Sequence, residues 1–149
     1  MNFLEVKGTN KDFAECCKKL EDYQYNLIPI LKEKDYFLTK DLEEINGFVL
    51  YIDGKVVGSI GLKHVDNDTC EIVRVFIDQN YRGNGYGNKL IEKIEEYAKS
   101  KGYKKAEIVA WVKSTSAVCL YKKFNYIVKS EKVSEWFGGD KYLELYKEF

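Results

Sequence analysis

The spacing of apolar residues changes several times along the chain, and each change marks an element. Phe3 to Val6 alternates in the manner of a short strand. From Asn10 the period becomes helical: Phe13, Cys16 or Cys17 and Leu20 recur every three or four residues, with Thr9 or Asn10 placed to cap. Pro29, the only proline, bends or breaks the segment after it because it lacks a backbone donor. A second short helix is predicted over Asp41 to Ile45, with Thr39 as its cap. Strand texture then takes over. Gly47 to Ile52 and Lys55 to Val65 flank Asp53-Gly54, a two-residue hairpin turn, and Asn67-Asp68 turns the chain into Thr69 to Ile77.

A glycine-rich stretch, Arg82-Gly83-Asn84-Gly85-Tyr86-Gly87, breaks that pattern. It opens a helix with Leu90, Ile91, Ile94, Tyr97 and Ala98 on one face, ended by Gly102. On this helix Glu95 precedes Lys99 by four residues, the favourable order for a surface ion pair. Lys105 to Val112 reads as strand, Ser116 to Phe124 as helix, and Tyr126 to Val133 and Lys141 to Tyr146 as closing strands. The order β-α-α-β-β-β-α-β-α-β-β predicts a mixed sheet with helices on its faces. With no repeat, low-complexity tract or Pro/Ser-rich linker, residues 1–149 read as a single domain.

Charge and cysteine usage then remove several classes of function. Twenty-four basic residues balance 24 acidic ones, which argues against a nucleic-acid partner, whose footprint is a basic face. Apolar runs such as Phe48 to Ile52 are too short to span a bilayer, and Met1 to Val6 lacks the layout of a signal peptide. The expected location is therefore the cytoplasm, with no membrane partner. Cys16, Cys17, Cys70 and Cys119 form no C-x-x-C pair, and His64 is the only histidine. No metal site is expected; the thiols, Cys119 among them, read as reduced core residues.

The glycine stretch carries the first chemical signal. Glycines between a strand and a helix start let the backbone approach an anion, and the helix N-terminus offers unpaired N–H groups. Spacing decides which anion. Gly87 is followed by Asn88-Lys89 rather than Lys-Ser/Thr, so a Walker loop is excluded, and G-x-G-x-G is not the dinucleotide fingerprint. The segment does match R-x-x-G-x-G from Arg82 to Gly87 ahead of an amphipathic helix. Further on, Ser114 to Tyr126 matches N-x-x-A-x-x-L-Y-x-x-x-G-F at Ala117, Leu120 and Tyr121. Over residues 47 to 128 the chain thus resembles the GNAT superfamily of N-acetyltransferases. Ser114 stands where many members carry a coenzyme A-contacting Asn, and Asn125 replaces a Gly that ends the helix. Asn is the next-best residue for that left-handed cap.

The resemblance implies a three-layer αβα acyl-CoA N-acyltransferase fold with a mixed, mostly antiparallel, splayed sheet. It further implies acetyl-coenzyme A as co-substrate. Its pyrophosphate would meet the loop from Arg82 through Gly83, Asn84, Gly85, Tyr86 and Gly87 to Asn88. Its pantetheine arm would pair with the backbone of Val75, Phe76 and Ile77, and Ser114 would lie beside it. An alkylamine with a pKa of ~10.4 is only about 1 part in 2,500 neutral at pH 7, a cost of roughly 4.6 kcal/mol, so a base is needed. Glu71, eleven residues before Arg82, stands where one branch of the family keeps its base, with pairing to Arg74 as the alternative role. Val109 occupies the position of another branch's glutamate and cannot take a proton; Glu107, two residues earlier, is a weak substitute. Tyr121 matches the family's general acid. Glu21, Asp22, Asp41, Glu43 and Glu44, interleaved with Tyr23, Tyr25, Tyr36 and Phe37, suggest either a cation-binding acceptor region or two solvated helix faces. The expected acceptor is a small-molecule amine, ahead of a protein or peptide amine. A non-catalytic acetyl-coenzyme A sensor is the alternative of another class. The C-terminal strands could pair in a homodimer.

Overall fold

Alternating apolar residues build one seven-stranded sheet in the computed structural model, which describes residues 1–149. In chain order the elements are β1 (Asn2–Lys7), α1 (Lys11–Leu27), α2 (Ile30–Glu33), β2 (Ile45–Ile52), β3 (Lys55–His64) and β4 (Thr69–Ile77). The second half adds α3 (Tyr86–Ser100), β5 (Lys105–Trp111), α4 (Thr115–Lys123), β6 (Ile127–Ser134) and β7 (Asp140–Glu148). The strands lie in the order β1-β2-β3-β4-β5-β7-β6. Every neighbouring pair is antiparallel except β4 and β5, which run parallel. No helix is long and apolar enough to cross a membrane.

Local chemistry explains most boundaries. The Asn10 side chain accepts from the backbone N–H groups of Asp12 and Phe13 at 2.9 and 3.1 Å, satisfying donors that the first turn of α1 leaves free. Asp53 and Gly54 both have positive φ, 51° and 77°, as a tight hairpin turn demands. The helix expected over Asp41 to Ile45 is absent. Leu42–Glu44 form a single 3-10 turn entered through Asp41 at φ 59°, with no side-chain cap, and Ile45 already belongs to β2. The second helix lies earlier, at Ile30–Glu33, where Pro29 starts a new turn instead of continuing α1.

Alternation assigns the two faces. Phe48, Leu50, Ile72 and Ile108 pack with Leu90, Ile91 and Ile94 of α3 and Tyr121 of α4. Ile45, Val49 and Val73 point the other way, onto Phe13 and Cys17 of α1. Gly47 and Gly61 make room there: a Cβ on either would come within 3.1 Å of the Phe13 ring. Cys16, Cys17 and Cys70 are buried as expected, and desolvation pushes their thiols up to about 12, 11 and 12. Cys119 is not core; it sits on the outward side of α4.

Glu95 also departs from expectation. It turns inward from α3, is 7% exposed, and accepts from Lys147 Nζ at 2.8 and 3.0 Å and from the Tyr126 hydroxyl at 2.8 Å. The helix is thereby tied to β7 rather than to Lys99. Removing one partner of a buried pair leaves the other charge desolvated, so Glu95→Ala is expected to cost about 3 kcal/mol in urea unfolding. A loss below about 0.5 kcal/mol, the level of an exposed helix pair, would contradict this reading.

Candidate active site

The sheet splits at its only parallel pair. β4 and β5 are joined from Thr69–Ile72 to Lys105–Ile108, and beyond Ile72 the facing edge of β4 has no partner strand. A bulge drives the divergence: Ser59 pairs with Phe76 and Gly61 with Val73, so Arg74 and Val75 together oppose Ile60. Arg74 takes φ 56°, a left-handed conformation that costs a non-glycine residue about 1–2 kcal/mol. The opening is a cavity of about 630 Å³ that reaches both faces of the sheet.

Hydrogen bonds hold the bulge from two sides. Ser59 Oγ donates to the Arg74 carbonyl at 2.9 Å. The Arg74 guanidinium leaves the strand and donates to the carbonyls of Leu38 at 2.9 Å and Lys40 at 3.3 Å. Leu38 N–H in turn donates to Glu21 Oε2 at 2.7 Å, and Glu21, 1% exposed, also accepts from Lys18 at 3.0 Å. Leu38 is thus gripped through both its N–H and its carbonyl. Arg74 is the anchor for this crossing segment and forms no ion pair with Glu71.

The glycine loop lies at one end of the cavity. Gly83 and Gly85 have φ 79° and 80°, and Gly85 is the residue from which α3 starts. The N–H groups of Gly83, Asn84 and Gly85 donate to no backbone acceptor, and those of Tyr86, Gly87 and Asn88 are first-turn donors. Together they form a row of free donors on the positive end of a helix dipole. Gly87 serves close packing, since a Cβ there would stand 3.1 Å from Leu120 of α4. The Asn84 side chain donates to the carbonyls of Tyr81 and Arg82 and shapes the loop. Arg82 donates to the Ile77 carbonyl at 2.9 Å and lies 4.8 Å over the Tyr23 ring, linking the loop to α1.

Of the residues singled out in the sequence, Glu71, Val75, Phe76, Ile77, Arg82, Gly83, Gly85, Tyr86, Gly87, Ser114 and Tyr121 all line this cavity. Asn84 and Asn88 do not. Glu71 shares its sheet face with Val73 and α1, and burial pushes its carboxyl above the ordinary range against the opposing charges of Lys63 and Arg74. Glu107 lies beside it in register on β5 and is not part of the lining. Tyr121 comes from α4 on the opposite face; it is 5% exposed, and burial raises its phenol, which keeps it protonated.

One wall of the cavity holds residues outside both sequence motifs, of which only Tyr36 was singled out in the sequence. Tyr36, Trp111, Phe137 and Tyr142 form an edge-to-face aromatic cluster with ring centroids 5.5–6.1 Å apart. Gln24 lines the cavity with its Oε1 buried and unpartnered. The acidic residues suspected of binding a cation are mostly engaged elsewhere: Asp22 with Lys18, and Asp41 and Glu44 with Lys63. Their spacing gave no sign of these partners.

Residues 12–126 match the family model described as the Acetyltransferase (GNAT) family. The chain is 32% identical over 100 residues to an uncharacterized N-acetyltransferase of Methanocaldococcus jannaschii, covering 63% of this chain and 44% of that one. It thus spans under half of that relative's length. It is 31% identical over 130 residues to an uncharacterized N-acetyltransferase of Archaeoglobus fulgidus, covering 76% and 84% of the two chains. A solved GNAT family acetyltransferase from Elizabethkingia anophelis, with acetyl-CoA bound, matches with a TM-score of 0.73 at 18% identity over 99% and 97% of the chains. At that identity the likeness is one of fold.

The left-handed bulge and its guanidinium anchor can be separated by substitution. Arg74→Ala removes the anchor and keeps the backbone strain, whereas Arg74→Gly removes both. The glycine variant is expected to be the more stable by about 1 kcal/mol in chemical unfolding. Equal stability of the two would mean that position 74 is not held at positive φ.

Proposed function

Because the chain belongs to the GNAT acetyltransferase family, we propose that it moves an acetyl group from acetyl-coenzyme A to the primary amine of a small molecule. The observation that carries this reading is the split between β4 and β5, with free loop amides at one end and Glu71 and Tyr121 in its wall. A volume of about 630 Å³ falls among small-molecule sites, typically ~300–1,000 Å³.

Each part of the wall has a task. The amides from Gly83 to Asn88 suit the pyrophosphate, and Arg82 closes the loop toward α1. The unpaired edge of β4 around Val75, Phe76 and Ile77 offers backbone donors to the pantetheine amides and to the thioester oxygen, where negative charge develops. Ser114 flanks the arm from the start of α4. Glu71, made more basic by burial, accepts a proton from the ammonium, directly or through water, so that the neutral nitrogen attacks the carbonyl carbon. As the C–N bond forms and the C–S bond breaks, Tyr121 donates its proton to the departing sulfur. The second nitrogen proton passes to solvent, which also restores the phenol. The products are the N-acetyl amine and the free thiol.

Glu71→Gln is expected to lower kcat/KM about 10²–10⁴-fold and Tyr121→Phe about 10²-fold, followed by thiol release. The pH profile separates roles. Because Glu71 takes the proton of the ammonium, log kcat/KM of the parent is level from the amine's own pKa down to the raised pKa of Glu71 and falls with slope one below it. In Glu71→Gln only the neutral amine reacts, so the level region is lost and the slope is one from the amine's own pKa downward. A double variant as fast as the parent would overturn both assignments.

A further inference from the structure

Resting on that acetyltransferase reading, we infer that the acceptor is a monoamine carried on a flat, uncharged aromatic body, of the arylalkylamine class. The charge inventory of the cavity is the first ground. Among the 29 residues lining it, 19 are hydrophobic, and Glu71 is the single carboxylate. The neighbouring acids stand outside the lining: Glu21 is sealed against Leu38 and Lys18, Asp22 lies beside Lys18, Asp41 and Glu44 lie beside Lys63, and neither these nor Glu43 face the cavity. One ammonium can therefore be matched. A second or third cation on the same molecule would rest against apolar walls, desolvated and without a partner. This counts against polyamines and aminoglycosides.

The shape of the aromatic wall is the second ground. Tyr36, Trp111, Phe137 and Tyr142 arrive from four separate segments and meet edge to face, so one wall of the cavity is built of ring edges and faces. Rings in this geometry attract one another beyond the gain from burying their area, and an aromatic ligand can join them in the same way. The third ground is Gln24. Its Oε1 is the one buried side-chain polar atom without a hydrogen-bond partner, and the residue lines the same cavity. A phenol O–H or indole N–H on the acceptor's ring is a donor that this oxygen lacks.

The test combines thermal shift with acetyl-coenzyme A and thiol release on a panel. The panel holds tyramine, tryptamine, phenethylamine, spermidine, an aminoglycoside, glutamate and a lysine peptide. Tyramine or tryptamine is expected to exceed every non-aromatic amine in kcat/KM by about tenfold or more. Tyr36→Ala and Phe137→Ala should remove that preference while stabilisation by acetyl-coenzyme A persists, and Tyr36→Phe should retain it. If acetyl-coenzyme A stabilises the protein but a polyamine, aminoglycoside, amino acid or peptide is preferred, or no arylalkylamine turns over, the acceptor assignment fails alone. If acetyl-coenzyme A neither stabilises nor is consumed, the acetyltransferase reading fails and this inference with it.

Discussion

The left-handed turn at Arg74 is the constraint on which the site depends. A bulge inserts one residue into β4, tilts the rest of the strand away from β5 and leaves its edge without a partner. Holding an arginine at φ 56° is unfavourable by itself, and the surrounding bonds offset it. Ser59 fixes the carbonyl, while Leu38 and Lys40 take the guanidinium. The same residue thus opens the sheet through its backbone and, through its side chain, ties down the segment that roofs the opening. Buried Glu21 completes the arrangement by holding Leu38 from the other side.

An opened sheet lets the two faces meet. Alternation along β4 sends Ile72 to the α3 side and Glu71 and Val73 to the α1 side. A carboxylate on one face and a phenol from α4 on the other line one cavity because β4 and β5 part beyond Ile72. The parallel pairing of β4 and β5 belongs to the same logic, because a parallel crossover needs a connecting helix. That helix, α3, begins at the glycine loop and delivers its unpaired amides to the mouth of the split. Glu95, Lys147 and Tyr126 then fix α3 against β7, on the far side of the opening.

Much of this was legible in the sequence because it is local. The strand from Thr69 to Ile77 shows in its β-branched run, the hairpin turn in Asp53-Gly54, and the loop in glycines whose backbone the site requires. What stayed hidden depends on distant partners. Glu95 reads as a surface residue until Lys147, 52 positions on, is brought beside it. The acidic stretch near Glu21 looks free until Lys63 and the backbone of Leu38 are in place. The aromatic wall joins Tyr36, Trp111, Phe137 and Tyr142, which no window of sequence contains together. The misplaced second helix has a different cause: Asp41 at positive φ leaves room for only one 3-10 turn before Ile45 joins the sheet.

The central claim is that the bulge frees the edge of β4 and the glycine loop to receive one extended ligand. Backbone amide chemical shifts recorded during titration with acetyl-coenzyme A test it most directly. The account predicts that the largest changes fall together on Val75, Phe76 and Ile77 and on Gly83 to Asn88. Saturable binding that moves other amides and leaves both of these sets unperturbed would contradict it.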